Sequence, residues 1–149
     1  MKIVCLRGKA SSGKSSLLKE LIIHLIRKKK MQVKWMYKRT DDPIRQIQGG
    51  WFGAGYVRDL NVLLQRDDKL VGVTSKGDTL PVVKDAFDLL KKHADGSLDV
   101  FVCACHPQTD VEKWLCSLAE PADIRFIDCD NLLARLSEAV MSAWEEKRK

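Results

Sequence analysis

The spacing of apolar residues along this chain switches repeatedly between the periods of strands and of helices. Short apolar or alternating runs predict six strands, at about Lys2–Arg7, Met31–Tyr37, Asp59–Gln65, Leu70–Ser75, Leu98–Cys105 and Ile124–Ile127. Apolar residues at helical spacing predict four helices, at about Gly13–Arg27, Thr79–Ala94, Asp110–Leu118 and 132–144. Turn composition at Arg66–Lys69 makes the third and fourth strands a β-hairpin. This order predicts a single α/β domain over residues 1–149, with helices on both faces of a sheet of about five parallel strands and one antiparallel addition.

Composition and charge narrow the class of protein. The 149 residues are 45% hydrophobic and 31% charged, which is typical of one globular domain with a real core. The net charge of +6 favours an anionic ligand or partner. Much of this charge lies in Arg27–Lys30 and Lys147–Lys149, at the ends of predicted helices, where cations complement the helix dipole. A nucleic-acid surface has only this charge in its favour, because no nucleic-acid-binding motif is present.

The cysteines and the apolar runs indicate the compartment. Five cysteines, an odd number, give no disulfide framework, and the C-x-x-C spacing of a zinc site is absent. Cys5, Cys103 and Cys105 lie in predicted strands and are expected to be small buried side chains. No apolar run approaches the length of a membrane span, and the chain enters a strand at once, without a signal peptide. We therefore expect a cytoplasmic protein with no membrane partner.

The loop after the first strand carries the most informative motif. Residues 8–15 fit the pattern G-x-x-x-x-G-K-[ST] at every fixed position, between a predicted strand and a predicted helix. Glycines permit a close backbone approach, and amides at a helix N-terminus bind phosphate. The predicted nucleotide-binding residues are Gly8, Lys9, Ala10, Ser11, Ser12, Gly13, Lys14, Ser15 and Ser16. Lys14 would reach the β- and γ-phosphates, and the Ser15 hydroxyl would bind Mg²⁺. The alternative is a glycine- and serine-rich turn that caps an ordinary helix.

This loop resembles the Walker A motif of the P-loop NTPase superfamily. The resemblance is strong over residues 2–26 and is a matter of layout beyond them. It implies a three-layer P-loop NTPase sheet that binds ATP or another nucleoside triphosphate together with Mg²⁺. The Asn-Lys-x-Asp segment that reads guanine is absent, so ATP is the default by elimination.

The resemblance also implies a metal-binding carboxylate at the end of a second strand, the Walker B position. Here the run Leu70–Ser75 ends in Thr74 and Ser75, and Asp78 follows only after a glycine turn. This departs from the family pattern. Asp78 is the predicted Mg²⁺ ligand and catalytic carboxylate, with Asp128 as the next candidate; the alternative is a solvent-exposed turn residue at position 78.

A third strand end carries the remaining catalytic candidate. In the additional-strand division of P-loop ATPases, the strand between the P-loop and Walker B strands ends in a polar sensor of the γ-phosphate. Leu98–Cys105 takes that place if Leu70–Ser75 has the Walker B role. His106, Gln108 or Thr109 would then contact the γ-phosphate or orient the attacking water. The alternative is an ordinary loop histidine before a proline.

Residues 38–56 have no clear periodicity. Gly49–Tyr56 is rich in glycine and aromatic residues, and is either a surface loop or a lid that closes on substrate. Arg39 and Arg45 would supply positive charge to a transferring phosphate in the second case.

Three functions are open on this fold. The leading prediction is a Mg²⁺-dependent NTPase in which His106 or Asp78 orients the water. The second is a small kinase that passes the γ-phosphoryl group to a nucleotide or other small acceptor, although the Asp-Arg pair and lid motif of known nucleoside and nucleotide kinases are missing. The third is a non-catalytic module whose nucleotide switches a partner contact, which the missing Walker B carboxylate favours.

Overall fold

The computed structural model describes residues 1–9, 14–49, 60–75, 79–129 and 137–144. The strands are β1 (Lys2–Arg7), β2 (Gln32–Met36), β3 (Asn61–Arg66), β4 (Lys69–Thr74), β5 (Val100–Cys105) and β6 (Ile124–Asp128). The helices are α1 (Lys14–Lys28), α2 (Pro43–Gly49), α3 (Leu80–His93) and α4 (Asp110–Leu118). A 3₁₀ helix, Pro121–Asp123, precedes β6, and residues 137–144 are helical. Within the described residues, the predicted strands and helices are confirmed to within two residues at either end, the last helix excepted, and α2 is an addition.

The strands form one sheet in the order β2-β3-β4-β5-β1-β6. Parallel pairing joins β4 to β5, β5 to β1 and β1 to β6, whereas β3 is antiparallel to both of its neighbours. Five of the six strands therefore run in one direction and β3 opposes them. This confirms the predicted α/β class, the mostly parallel sheet and the β3–β4 hairpin. It also sets β5 between β1 and β4, and β1 between β5 and β6.

Helices lie on both faces of the sheet because successive strand residues point to opposite faces. Over one face, α3 and α4 pack against Phe101, Cys103 and Cys105. Over the other, α1 and α2 pack near Val102 and Ala104. All five of these β5 side chains are buried, as expected of a central parallel strand with both faces covered.

In α1 the sequence predicts an apolar stripe facing the sheet that consists of Leu17, Leu18, Leu21, Ile22 and Leu25, and one of these positions is wrong. Leu18 and Ile22 are buried against the sheet, but Leu17 has 41% of its surface exposed. Leu17 and Ile127 instead line an apolar groove beside β1 and β6. The apolar arc of α1 is thus wider than the arc that the sheet covers.

Helix α2 occupies part of the segment 38–56, for which the sequence predicts no element. The Asp42 carboxylate accepts a hydrogen bond from the backbone N–H of Arg45 at 3.1 Å, and Pro43 is the first helical residue. An aspartate cap followed by proline is a regular way to begin a helix. The glycine-rich residues 50–56 of the predicted lid lie outside the described residues. Among the described helices, none combines the length and the apolar composition that a bilayer crossing requires.

The structure describes all five cysteines, and all five are free thiols. Cys5, Cys103, Cys105 and Cys129 are buried, and Cys116 is exposed on α4. The Cys5 and Cys105 sulfur atoms lie 3.4 Å apart across β1 and β5. The hydrogen bond with Cys103 and burial raise the pKa of Cys5, and together they outweigh the hydrogen bond with Cys105, which lowers it. The hydrogen bond with Cys5 and burial raise the pKa of Cys105.

We therefore expect one fast thiol in the native protein. At pH 8, Ellman's reagent should rapidly modify a single cysteine of the native protein, and all five cysteines after denaturation in guanidinium chloride. The reagent reacts with the thiolate, and burial of the other four thiols disfavours the thiolate and blocks access to it. Cys116→Ser should remove the fast phase. Rapid modification of two or more thiols in the native state would contradict the close packing of β1 against β5.

Candidate phosphate-binding site

The carboxyl ends of β1, β4, β5 and β6 meet at one edge of the sheet because these strands are parallel. In open α/β sheets, ligands bind in the crevice at this edge. The backbone N–H of Gly8 donates a hydrogen bond to the Cys105 carbonyl at 3.0 Å. This bond extends the β1–β5 pairing by one residue. It brings Gly8, the first residue of the predicted phosphate loop, next to His106 at the end of β5.

Lys14 begins α1 and its side chain folds back over the start of the loop. Its ammonium nitrogen lies 2.5 Å from the Gly8 carbonyl oxygen and 2.8 Å from the Lys9 carbonyl oxygen. Ala10, Ser11, Ser12 and Gly13, four of the predicted phosphate-binding residues, lie outside the described residues. The ammonium therefore joins the two ends of the loop. A phosphate oxygen would be a stronger acceptor for it than a neutral carbonyl, because its charge strengthens the hydrogen bond.

The first turn of α1 is suited to an anion. Ser15 and Ser16 are exposed there, and the turn contains no acidic side chain. The positive end of the helix dipole is therefore not compensated by the residues of that turn. Ser15 can offer its hydroxyl to a metal ion bound on the same anion, as the sequence predicts.

The polar residues at the end of β4 hold the hairpin together. The Thr74 hydroxyl donates to the Asn61 side-chain oxygen at 2.7 Å. The Ser75 hydroxyl accepts from the Leu60 N–H at 2.6 Å, and the Ser75 N–H donates to the Leu60 carbonyl at 2.9 Å. Both side chains are buried. Neither is a carboxylate, so β4 itself supplies no charged metal ligand at this position.

The predicted metal carboxylate, Asp78, lies outside the described residues. In the part of the chain that the structure describes, His, Cys, Asp and Glu side chains form no group of three that could hold a metal ion. The next candidate, Asp128, is paired with Arg7 through both of its oxygens, at 2.7 and 3.2 Å. Its carboxylate is therefore already neutralised by a guanidinium.

His106 is half-buried and opens a turn that leads into α4. The Thr109 hydroxyl donates to the His106 carbonyl at 2.8 Å. Between them, Gln108 has a φ of +58°, a left-handed conformation that L residues adopt infrequently. The turn is thus held in one particular shape. The strand order brings His106 to the same edge as Gly8 and Lys14.

An ion-pair cluster around Arg7, the last residue of β1, was missed by the sequence analysis. Its guanidinium donates to Glu112 at 2.6 Å and to Asp128 at 2.7 Å, and lies 4.6 Å from the centre of the Phe126 ring. The hydrogen bonds to Asp128 and then to Glu112 raise the pKa of Arg7 further. One signal was present, since Thr109-x-x-Glu112 has the spacing of a capping box at the start of α4.

Of the two arginines proposed to reach a phosphate, one bonds to a carbonyl of β2 and the other is exposed. The Arg39 guanidinium donates to the Val33 carbonyl at 3.2 Å, and Arg45 is exposed on α2. Strand β2, which precedes both, is separated from β1 by β3, β4 and β5. At the usual spacing between strands this separation is about 19 Å.

Compared with protein-family models, curated proteins and solved structures, the chain matches none. The features that bear on function are the motif at residues 8–15 and the side chains that the fold gathers around it.

Proposed function

We propose that this protein binds a nucleoside triphosphate with Mg²⁺ at the carboxyl edge of its sheet and hydrolyses the γ-phosphate. The observation that carries the proposal is the position of Lys14, whose ammonium folds over the start of a G-x-x-x-x-G-K-S loop, 2.5 Å from the Gly8 carbonyl oxygen. A positive charge at that place is suited to hold the terminal phosphates.

The strand order supports the same proposal. A P-loop NTPase sheet of the additional-strand division has its P-loop strand beside the strand that carries the γ-phosphate sensor, and here β1 lies beside β5. In this proposal β1 leads into the phosphate loop, β5 leads to His106, and β4 takes the place of the Walker B strand. The inserted strand β3 then extends the sheet between β4 and β2.

The chemistry needs positioning more than covalent participation by the protein. Lys14 and the N-terminus of α1 neutralise the charge that spreads over the terminal phosphate. His106 orients a water whose oxygen forms a bond to the γ-phosphorus while the bond to the bridging oxygen breaks. The nucleoside diphosphate leaves, and the protons of the water pass to the released phosphate and to solvent. Ser15 and Asp78 would hold Mg²⁺, which supplies further charge neutralisation when it is bound.

A non-catalytic nucleotide-binding module is the second candidate. The observation that favours it is the end of β4, where two buried hydroxyls, bonded to Leu60 and Asn61, replace the expected carboxylate. Such a protein would bind the triphosphate and change a partner contact without turnover.

One set of assays separates these functions. Fluorescent ATP is titrated into the purified protein with and without Mg²⁺, and products are measured with and without a panel of small phosphate acceptors. Saturable binding with phosphate release in the absence of acceptors supports hydrolysis. ADP formation that requires an acceptor identifies a kinase, and saturable binding without product identifies the module. Absence of binding at millimolar Mg·ATP would overturn the proposal.

Asp78→Asn should raise the Mg²⁺ concentration needed for half-maximal activity by about tenfold or more, because even indirect metal partners contribute this much to affinity. Binding of ATP without metal should be unchanged. The matched control is Asp67→Asn, since Asp67 lies in the β3–β4 turn at the opposite edge of the sheet and its left-handed φ of +57° suits asparagine. An unchanged metal titration in Asp78→Asn would assign the carboxylate to another residue.

A further inference from the structure

Glu112, in the first turn of α4, uses its two carboxylate oxygens in two directions. One oxygen accepts a hydrogen bond from the Arg7 guanidinium at 2.6 Å. The other accepts the backbone N–H of Gln108 at 2.6 Å. Arg7 directly precedes Gly8, and Gln108 is two residues after His106. A single carboxylate therefore joins the base of the predicted phosphate loop to the turn that carries His106.

The Arg7 end of this link is itself fixed. Asp128 binds two nitrogens of the same guanidinium, and the Phe126 ring lies against it at 4.6 Å. The side chains of Arg7 and Glu112 are 26% and 20% exposed, against 47% for Asp128. The bond between Arg7 and Glu112 is thus the better shielded of the two ion pairs, and shielding from water strengthens such bonds.

The Gln108 end of the link holds a turn with an uncommon shape. The left-handed φ of Gln108 directs its N–H toward Glu112, while the Thr109 hydroxyl holds the His106 carbonyl. In a capping box the acidic side chain satisfies an N–H at the start of its own helix. Here the same carboxylate also reaches the neighbouring strand, which a helix cap alone does not require.

We propose that Glu112 is a positioning residue, which sets the place of His106 relative to the phosphate loop through Arg7 and Gln108. The part of this inference that concerns the reaction rests on the proposed function. Glu112 touches no nucleotide in this scheme; it acts through His106. Its loss should therefore lower turnover and leave binding of the triphosphate nearly unchanged, since binding depends on Lys14 and the loop.

The first test needs no nucleotide. Amide hydrogen exchange of residues 106–109 is compared in the wild type, Glu112→Ala and Asp110→Ala. Asp110 lies in the same turn of α4, is exposed and carries the same charge, so its removal changes the helix terminus similarly. Exchange at Gln108 should accelerate about tenfold or more in Glu112→Ala, the effect of losing one hydrogen bond to a charged group, and should stay near wild type in Asp110→Ala. Equal exchange in the two variants would overturn the proposal.

The second test is a double-mutant cycle with His106→Ala, measured as phosphate release at saturating Mg·ATP. Glu112→Ala should lower kcat by about tenfold, with the dissociation constant for Mg·ATP within about twofold of wild type. In the His106→Ala background, the same change should cause no further loss. Independent losses that multiply would overturn the proposal, because they would mean that Glu112 does not act through His106.

Glu112→Gln guards against a variant that fails to fold. It keeps the side-chain volume but has one acceptor oxygen where the carboxylate has two, so its NH2 group faces one of the two N–H donors and the link breaks at that end. The value of kcat should therefore fall in the same direction as in Glu112→Ala. If the wild type binds no ATP, the proposed function fails, and the exchange experiment still decides whether Glu112 holds the turn. If ATP is bound and hydrolysed but Glu112→Ala behaves as Asp110→Ala, the positioning role alone fails.

Discussion

Lys14→Ala should lower the affinity for Mg·ATP by about a hundredfold, because it removes the charged donor to which we propose that the terminal phosphates bind. In the free protein the same ammonium bonds to the Gly8 and Lys9 carbonyls, at 2.5 and 2.8 Å, where water can replace it. The free energy of unfolding should therefore fall by no more than about 1 kcal/mol. Titration with fluorescent ATP and chemical denaturation of the same samples measure the two effects separately.

Lys28→Ala is the matched control for this change. It removes the same charge from the other end of α1, about 21 Å away along the helix axis. Its dissociation constant should remain within about twofold of wild type at physiological salt, where charges at that distance are screened. Equal affinities for wild type and Lys14→Ala would show that the loop at residues 8–15 is not the phosphate site, whatever else the protein binds.

Phe101→Ala should lower the free energy of unfolding by about 3–5 kcal/mol, the usual cost of removing a large buried aromatic side chain. Phe101 is completely buried in β5, and its ring centre lies 4.9 Å from that of Phe87 on α3. Phe87 in turn contacts Trp114 of α4 at 5.5 Å, so the change weakens the packing of both helices on the sheet. Unfolding in guanidinium chloride, followed by circular dichroism, gives the difference.

Tyr37→Ala provides the comparison for this stability loss. Tyr37 is an aromatic residue of similar size at the end of β2, with half of its surface exposed. Truncation there should change the free energy of unfolding by about 0.5 kcal/mol or less. A loss below about 1 kcal/mol for Phe101→Ala would contradict the position of β5 at the centre of the core.

Most of the fold could be predicted because its signals are local. The run that becomes β5, Val100–Cys105, is apolar without interruption, which is typical of a parallel strand covered on both faces. The sequence Arg66–Lys69 combines turn residues between two strand-like runs, and it became the β3–β4 turn. Each of these elements depends on neighbours within about ten residues, which periodicity and turn chemistry describe.

The predictions were wrong or incomplete where the outcome depends on contacts with residues that are distant in the sequence. Leu17 fits the apolar stripe of α1, but which arc of a helix meets the sheet depends on where the strands lie. The pair Asp42-Pro43 is compatible with a turn or with the start of a helix. In the structure it begins α2, whose Ile47 packs into the core. The sequence alone gave no reason to prefer that outcome.

In the candidate site too, residues close together in the sequence could be predicted and those far apart could not. The motif predicts Lys14 and its loop because all of its members lie within eight consecutive residues. The cluster around Arg7 could not be found from spacing, since Glu112 and Asp128 follow it by 105 and 121 positions. They meet it only because β1 lies between β5 and β6. Periodicity predicts the strands but not their order in the sheet.

The hydrogen bond from Gly8 to Cys105 limits which main-chain groups can serve a ligand. An amide carries one hydrogen, and that of Gly8 is already directed at a sheet carbonyl 3.0 Å away. Main-chain donors for an anion at this loop must therefore come from residues after Gly8. Gly8 thus belongs to the sheet through its amide, although the motif counts it as the first residue of the loop.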